Sequence, residues 1–256
     1  MKILVNGCSF SFGHGMSPEQ KISSSWPNLL ARELDSHCEN ISFPGSSNLE
    51  IFLRTLKKIN ETKYDLIIIQ WSALRRHWFE PGIDRFYICA GNPDDHKENW
   101  IFENQNIYID KKQRKKFSDM LTMLSGDYRD LLDLCCFMST LQNLCSQVGT
   151  KILYLNGLLP WTPDLLVSMA DLDMSKNMSP FTKSMLEFDF KDDDEIRFYH
   201  ENLRKKIAPT EKYWINMFDS WSKFYYVDTG DLGHHPGPKS HSLIAEKVIS
   251  KLTSNS

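Results

Sequence analysis

An unbroken apolar run, Leu66-Ile67-Ile68-Ile69, is the feature that most limits how this chain can fold. A strand with one face in water alternates apolar and polar residues, but this run contains no polar position. A strand of this kind is buried on both faces, as the strands of a parallel sheet are when helices cover both of its sides. The run therefore predicts an α/β fold built on a parallel sheet.

Strand and helix patterns alternate along much of the remaining chain. Short apolar runs bounded by turn residues predict strands, and apolar residues at helical spacing predict the helices between them. Such an alternation is typical of a doubly wound parallel sheet, in which binding sites lie at the carboxyl ends of the strands. The other predicted strands cover residues 3–5, 40–43, 151–155 and 225–227, and the predicted helices start near residues 24 and 49 or cover residues 128–148, 195–207 and 240–252.

The length of 256 residues favours one domain, residues 1–256, around one core. Two loop-rich segments, at about residues 76–125 and 160–195, interrupt the alternation and are predicted to be insertions. The formal net charge is −3, which gives no general attraction to nucleic acids or anionic membranes. No apolar run approaches the roughly 20 residues needed to span a bilayer. We therefore expect neither a nucleic-acid partner nor a membrane partner.

The six cysteines include no CxxC pair, and two of them, Cys135 and Cys136, are adjacent in a predicted apolar helix. This usage is typical of reduced thiols in a cytoplasmic protein rather than of a disulfide framework. The apolar run at the start of the chain is too short for a signal peptide. The expectation is a cytoplasmic protein without a metal or other cofactor, and the sequence leaves its oligomeric state open.

A glycine- and serine-rich turn, Gly7-Cys8-Ser9-Phe10-Ser11-Phe12-Gly13, directly follows the first predicted strand. A nucleophilic serine needs such a turn, because it exposes the hydroxyl and directs nearby amides at the developing oxyanion. A phosphate-binding loop is an alternative, but the GxGxxG and GK[ST] patterns of such loops are absent. Cys8 is a second candidate nucleophile, unless it is a small residue packed against the sheet.

A second polar motif, Asp231-Leu232-Gly233-His234-His235-Pro236, precedes the last predicted helix. Histidines in a loop beside an aspartate suit a general base and the carboxylate that orients it. The same side chains, together with His241, could instead ligate a metal ion, although adjacent histidines seldom bind one metal. An ordinary surface loop is the third interpretation of this motif.

Together the two motifs resemble the SGNH/GDSL hydrolase superfamily, in which a serine block near the N-terminus is followed by an Asp-x-x-His block near the C-terminus. Residues 7–13 match the first block, Gly-Asp-Ser-x-(Ser/Thr)-x-Gly, with Cys8 in place of the aspartate. Gly45, in the turn at residues 44–47, resembles the glycine whose amide joins the oxyanion hole. The resemblance implies a flavodoxin-like, three-layer α/β/α fold with a central parallel sheet, interrupted by the two insertions.

The resemblance also implies an activity, that of a serine hydrolase cleaving carboxylic (acyl) esters through a Ser-His-Asp triad. Ser9 would be the nucleophile and Asp231 the orienting carboxylate. His234 has the family's three-residue spacing from Asp231, whereas His235 precedes a proline as the family's histidine does, and His235 is favoured as the base. The implied substrate is an ester of a small molecule or a carbohydrate.

The block after the central strand departs from the family pattern. That block normally ends in Gly-x-Asn-Asp, whose asparagine donates to the oxyanion, whereas here the strand ends in Gln70-Trp71-Ser72-Ala73. Ser72 or Asn48 is predicted to supply the missing donor, and Arg75 is predicted to bind a polar substrate group at the mouth of the site. Without a substitute donor the chain would be a weak enzyme or a non-hydrolytic binding module. An acyltransferase on the same fold is a further alternative.

Overall fold

The computed structural model describes residues 1–72, 76–79, 86–89, 116, 127–155, 214–215, 227–231 and 235–254. The strands in these ranges are β1 (Lys2–Asn6), β2 (His37–Asn40), β3 (Leu66–Gln70), β4 (Arg76–Phe79), β5 (Phe86–Cys89), β6 (Lys151–Leu155) and β7 (Trp214–Ile215). The helices described here are α1 (Ser9–Phe12), α2 (Pro18–Ser24), α3 (Trp26–Glu33), α4 (Asn48–Glu61), α5 (Asp127–Val148) and α6 (Pro238–Ser254).

A parallel sheet forms the centre of the described part of the chain. Its strand order is β2-β1-β3-β6-β7, and each neighbouring pair of strands is parallel. β2 lies on one side of β1 and the later strands follow on the other side, so the winding of the chain reverses between β1 and β3. At such a switch point the loops after the two strands diverge and leave a crevice at the carboxyl ends of the strands. The residues directly after β1 and β3 therefore flank the expected binding crevice.

Helices cover both faces of the sheet, and two separate apolar clusters hold them there. Alternate residues of β3 belong to different clusters: Ile67 and Ile69 pack with residues of α4 and α5, whereas Leu66 and Ile68 pack with residues of α3 and α6. Every residue of β3 is buried, because the side chains of a strand alternate between its two faces and both faces are covered here. The predicted three-layer α/β/α architecture with a central parallel sheet is confirmed.

The prediction of β2 is wrong in its bounds, because the strand covers His37–Asn40 and not residues 40–43. Residues 41–43 follow the end of β1 instead. Ile41 N–H donates a hydrogen bond to Val5 O at 2.9 Å, and Phe43 N–H donates to Gly7 O at 3.1 Å. Through these two bonds, residues 41–43 run past the end of the sheet and beside the glycine- and serine-rich turn that starts at Gly7.

Two short helices, α1 and α2, are not predicted from the sequence. For α2 a start signal is nevertheless present: Ser17 Oγ accepts from Gln20 N–H at 3.2 Å, and the Gln20 side chain accepts from Ser17 N–H at 3.0 Å. This reciprocal pair is a capping box, and Pro18 follows it at the first helical position. A capping box of four residues can therefore be read from the sequence even where apolar periodicity is weak.

Several predictions fall wholly or partly outside the described residues. The segment 160–195, the helix predicted at 195–207 and most of the strand predicted at 225–227 lie outside them. The segment 76–125 is described mainly at β4 and β5, which pair antiparallel in a separate two-stranded sheet. The single-domain organisation stays a prediction. Within the described ranges, no helix is both long and apolar enough to cross a bilayer.

Candidate active site

Ser9 is the first residue of α1, at the carboxyl end of β1. Only Gly7 and Cys8 connect the strand to the helix, so the turn lies close against the neighbouring strand. A Cβ at Gly7 would lie 2.8 Å from Ser11 Oγ and 3.0 Å from Gln70 Cβ. Glycine is therefore required at position 7, and this close approach brings the serine turn (residues 7–15) against the end of β3.

Two hydrogen bonds fix the serine turn on the sheet. Ser11 Oγ donates to Gln70 Oε1, and Asn40 Nδ2 donates to Ser11 O at 2.9 Å. Ser11 and Gln70 are both fully buried, where an unpaired amide or hydroxyl would cost about 1–3 kcal/mol. Gln70 thus holds the turn in place. Sequence reasoning missed this role, although a polar residue at the end of an apolar strand is a visible signal.

Cys8 and Ser9 have different surroundings. The Cys8 side chain is fully buried in the apolar cluster between the sheet, α3 and α6, where Ile3 and Val5 also lie. Reactive cysteines typically lie in partly exposed and electropositive surroundings, whereas Cys8 is surrounded by apolar side chains. Its burial matches the packing role of a small core residue and favours Ser9 over Cys8 as the nucleophile.

The loop before α6 docks on the serine turn through backbone atoms. Gly15, whose φ is 88°, accepts a hydrogen bond from Asp231 N–H at 2.8 Å. Gly230 N–H donates to His235 O at 2.9 Å, which closes the loop on itself. The two polar motifs, remote from each other in sequence, are therefore joined in the structure.

Gly230→Ala is expected to lower the free energy of unfolding by about 1–3 kcal/mol, the cost of inserting a methyl group where there is no room. The added Cβ would lie 2.6 Å from Gly15 O, and a backbone atom cannot turn aside as a flexible side chain can. Urea denaturation followed by circular dichroism measures the change. The control is Thr229→Ala at the exposed neighbouring position, for which we expect a change below about 0.5 kcal/mol. Equal stability of Gly230→Ala and the wild type would rule out the direct docking.

His235 lies against the serine turn. Its ring packs edge-to-face on Phe10, with 5.6 Å between ring centroids, and on His14, with 4.8 Å. Phe10 directly follows Ser9, and His14 N–H donates to Ser9 O at 2.9 Å, so both ring contacts come from residues that adjoin Ser9. Burial, with a smaller effect from the charge of Lys21, lowers the pKa of His14 below its ordinary value of 6.5. An uncharged His14 packs on His235 without charge repulsion.

Ser9 and His235 are neighbours through these contacts rather than through a hydrogen bond. Ser9 Oγ forms no hydrogen bond with His235 or with any other residue that the structure describes. Hydrogen bonds between a catalytic nucleophile and its base often tighten only when substrate binds, so this geometry leaves the pair available for that step.

The two aspartates of the loop before α6 have different environments. Asp231 is exposed, and within the described residues its carboxylate has no hydrogen-bond or ion-pair partner. Asp228 instead accepts from Lys239 N–H at 2.9 Å and from Ser240 N–H at 2.8 Å, which caps the first turn of α6. Burial acts to raise the pKa of Asp228, but the hydrogen bonds from Lys239 and Ser240 outweigh it and the net pKa is lowered. Asp228 is a structural cap that sequence reasoning missed.

Of the other two histidines of the C-terminal motif, the structure describes only His241. His234 lies outside the described residues. His241 is fully buried, and its Nδ1 accepts from Trp26 N–H at 3.1 Å. Burial, opposed by the charge of Asp228, lowers the pKa of His241 to about 4, so it remains uncharged in this structural position. In the part of the chain that is described, no group of three or more His, Cys, Asp or Glu side chains is arranged to hold a metal ion.

The turn predicted to supply an oxyanion amide is held by a series of hydrogen bonds. Gly45 has a φ of 84°, in the left-handed region that favours glycine. Beside it, Ser46 Oγ donates to Phe43 O at 2.7 Å, and Arg54 Nη2 donates to Ser46 Oγ. Phe43 N–H in turn donates to Gly7 O at 3.1 Å. These bonds place the Gly45 turn next to the serine turn, and Arg54 is a brace that sequence reasoning missed.

Asn48 and Ser72, the two predicted substitutes for the missing asparagine, are in direct contact. Asn48 Oδ1 accepts from Ser72 N–H at 2.7 Å, and Asn48 Nδ2 donates to Ser72 O at 3.4 Å. Arg75 lies outside the described residues, but the next residue, Arg76, reaches this pair, and its Nη1 donates to Ser72 Oγ at 3.0 Å. The structure therefore places an amide, a hydroxyl and a guanidinium group together beyond the end of β3.

No protein-family model and no curated protein matches this sequence. Solved structures do match it over nearly the whole chain. The psychrotrophic esterase EstA from Pseudoalteromonas sp. matches with a TM-score of 0.50 and 12% identity over 99% of this chain and 97% of that chain. The acetyl xylan esterase AlAXEase matches with a TM-score of 0.48 and 10% identity over 98% of each chain. A member of the lipolytic protein G-D-S-L family from Veillonella parvula DSM 2008 matches with a TM-score of 0.42 and 12% identity over 99% of this chain and 98% of that chain.

The match to EstA places this fold among known ones. The match covers nearly all of both chains although the sequences are only 12% identical, so the likeness is one of fold and not of sequence. This likeness agrees with the resemblance that the serine and histidine motifs imply. The chain therefore shares its α/β fold with this esterase structure.

Proposed function

We propose that the protein is an SGNH/GDSL-type esterase that hydrolyses carboxylic esters, with Ser9 as nucleophile and His235 as general base. The observation that carries the proposal is the packing of the His235 ring on Phe10 and His14, the residues that adjoin Ser9 in its turn. A serine hydroxyl becomes an effective nucleophile only when a base can take its proton. The position of Ser9 at the switch point between β1 and β3 supports the same proposal, because doubly wound sheets bind their ligands there.

In the proposed reaction Ser9 Oγ attacks the carbonyl carbon of the ester while His235 takes the hydroxyl proton. The bond from the carbonyl carbon to the alcohol oxygen then breaks, and the imidazolium returns the proton to the departing alcohol. Water, deprotonated by the same imidazole, attacks the acyl-enzyme, releases the acid and restores Ser9. The backbone amides of Ser9 and Gly45 are the proposed donors to the oxyanion, joined by a side-chain donor beyond the end of β3.

Asp231 is the proposed carboxylate partner of the imidazolium. Because Asp231 is exposed, water and salt weaken its attraction to the imidazolium, and its contribution is smaller than that of a buried carboxylate. Asp228 does not take this role, since both of its carboxylate oxygens accept hydrogen bonds at the start of α6. His234, three residues after Asp231, is the alternative base.

The proposed substrates are esters of small molecules or carbohydrates. Three polar side chains lie together near the end of β3: Asn48 accepts from the Ser72 N–H, and Arg76 donates to the Ser72 hydroxyl. Amide, hydroxyl and guanidinium groups bind hydroxyls and small polar acids better than they bind a long acyl chain. This polarity supports a short acyl group or a hydroxyl-bearing alcohol in the substrate.

A fluorophosphonate probe tests the nucleophile. The probe phosphonylates an activated serine, so we expect the folded protein to take up one label and peptide mapping to find it on Ser9. Heat-unfolded protein is the control, because a serine without its base does not react. A label on another residue would refute the assignment, and an unlabelled folded protein would favour the non-hydrolytic binding module. Product analysis with an added alcohol or sugar acceptor separates hydrolysis from acyl transfer.

A further inference from the structure

Ser72 is held on both sides of its backbone by one side chain. Asn48 Oδ1 accepts from the Ser72 N–H at 2.7 Å, while Asn48 Nδ2 donates to the Ser72 carbonyl oxygen at 3.4 Å. Ser72 is fully buried, and Asn48 is only 6% exposed. The side-chain amide of Asn48 thus pairs with the Ser72 backbone as a neighbouring strand would, and it fixes Ser72 two residues beyond the end of β3. Position and orientation of the Ser72 backbone are determined before any substrate binds.

The Ser72 hydroxyl accepts a hydrogen bond from a positively charged side chain. Arg76 Nη1 donates to Ser72 Oγ at 3.0 Å. A guanidinium group can only donate, whereas a hydroxyl accepts and donates, so the Ser72 proton must be given to a different group. Within the described residues no acceptor takes that proton. A hydroxyl that accepts a charge-assisted hydrogen bond becomes a stronger donor in turn.

Ser72 stands across the switch point from Ser9. The register pairs Asn6 of β1 with Ile69 of β3, and the strands leave the sheet together, so the residues that follow them flank one crevice. The serine turn also touches the end of β3 directly, since a Cβ at Gly7 would lie 3.1 Å from Gln70 O. An oxyanion formed on an ester bound to Ser9 develops in this crevice.

We infer that the Ser72 hydroxyl is the side-chain donor to the oxyanion and that Arg76 is the positioning residue that makes it effective. In this arrangement Arg76 and Ser72 together replace the asparagine that the family has at the end of this strand. Asn48 serves as the clamp for Ser72 and not as the donor. The inference rests on the proposed esterase function and names the part of the site that stabilises its transition state.

A double-mutant cycle on Ser72 and Arg76 tests the inference, with a short-chain p-nitrophenyl ester as the substrate. Loss of one oxyanion donor typically costs about 100- to 1000-fold in kcat. We expect Ser72→Ala to fall at the lower end of that range and Arg76→Met to lower kcat at least about tenfold, each with KM changed less than about threefold. Because Arg76 acts through Ser72, the double variant should be no slower than Ser72→Ala alone.

The controls separate this inference from folding and from the nucleophile assignment. Arg32→Met removes an exposed guanidinium group whose one hydrogen bond within the described residues goes to Ser23 O at 3.5 Å, and this variant should leave kcat unchanged. Fluorophosphonate labelling of Ser9 should persist in every variant, because the nucleophile and its base are intact. If Ser72→Ala does not fold, the isosteric pair Ser72→Thr and Ser72→Val replaces it, and only the valine variant should lose activity.

Three results would overturn the inference while leaving Ser9 as the nucleophile. One is full kcat in a folded Ser72→Ala protein. Another is an Arg76→Met variant that changes KM alone, which would make Arg76 a substrate-binding residue. The third is a double variant whose loss is the product of the two single losses, since Arg76 and Ser72 would then act independently. Failure of Ser9 to take the label in the wild type would instead overturn the esterase proposal itself.

Discussion

Ser9→Ala is expected to lower kcat/KM for a short-chain ester by at least about 10⁴-fold, as the loss of a serine nucleophile does in other serine hydrolases. The variant keeps the crevice but has no atom that can form the acyl-enzyme. Stability should stay close to that of the wild type, because Ser9 Oγ has no hydrogen-bond partner within the described residues. Steady-state kinetics with p-nitrophenyl acetate and a urea denaturation curve measure the two quantities side by side.

Cys8→Ala is the matched control for this substitution. Cys8 precedes Ser9 in the same turn, and its side chain is fully buried. Removing the thiol should cost stability, as the loss of a buried group does, and should leave the nucleophile in place. Retained activity in Ser9→Ala together with lost activity in a folded Cys8→Ala protein would reverse the assignment of the two residues.

His235→Ala is expected to lower kcat/KM at least about 10³-fold, because without a base the Ser9 hydroxyl keeps its proton. His234→Ala should cost less than about tenfold, since His234 takes no part in the proposed proton transfer. Asp231→Asn is a useful comparison and should cost about tenfold, because an exposed carboxylate stabilises the imidazolium only weakly. Kinetics across pH 5–9, repeated with added imidazole, distinguish loss of the base from loss of the fold.

The two histidines make this test decisive, because they are adjacent and chemically identical. If His234→Ala is the inactive variant and His235→Ala is active, the spacing from Asp231 identifies the base and the following proline does not. If both variants keep their activity, no histidine of this motif is the base, and the esterase mechanism proposed above fails.

The central strand and both motifs could be predicted because each depends on residues close together in sequence. The apolar run at residues 66–69 predicts by itself a strand that is buried on both faces, and β3 is that strand. The serine turn likewise shows its glycines and its place after a strand within a few residues. The parallel sheet then follows from general rules about how strand–helix units assemble. The rules do not join the two motifs, and only the resemblance to the SGNH/GDSL blocks predicts that they form one site.

The residues that sequence reasoning missed act through contacts with remote segments. Gln70 holds Ser11, Arg54 holds Ser46, and Asp228 caps α6. None of these pairs has a fixed sequence spacing, so even where one residue stands out, as Gln70 does, the sequence does not identify its partner. The predicted bounds of β2 are wrong for a related reason. The strand contains polar residues such as His37 and Asn40, so its position is set by pairing with β1 and not by an apolar pattern of its own.

The junction between the serine turn and the loop before α6 has a consequence for how the molecule is made. The hydrogen bond from Trp26 N–H to His241 Nδ1, next to this junction, joins residues 215 positions apart. Contacts of such long sequence separation form late in folding, because the chain loses the entropy of closing a large loop before the contact contributes any stabilising free energy. During synthesis Ser9 is translated well before His235, because a long stretch of sequence separates the two residues. On the proposed assignment, a nascent or truncated chain that includes Ser9 but not His235 has a nucleophile without a base, and we expect it not to cleave esters.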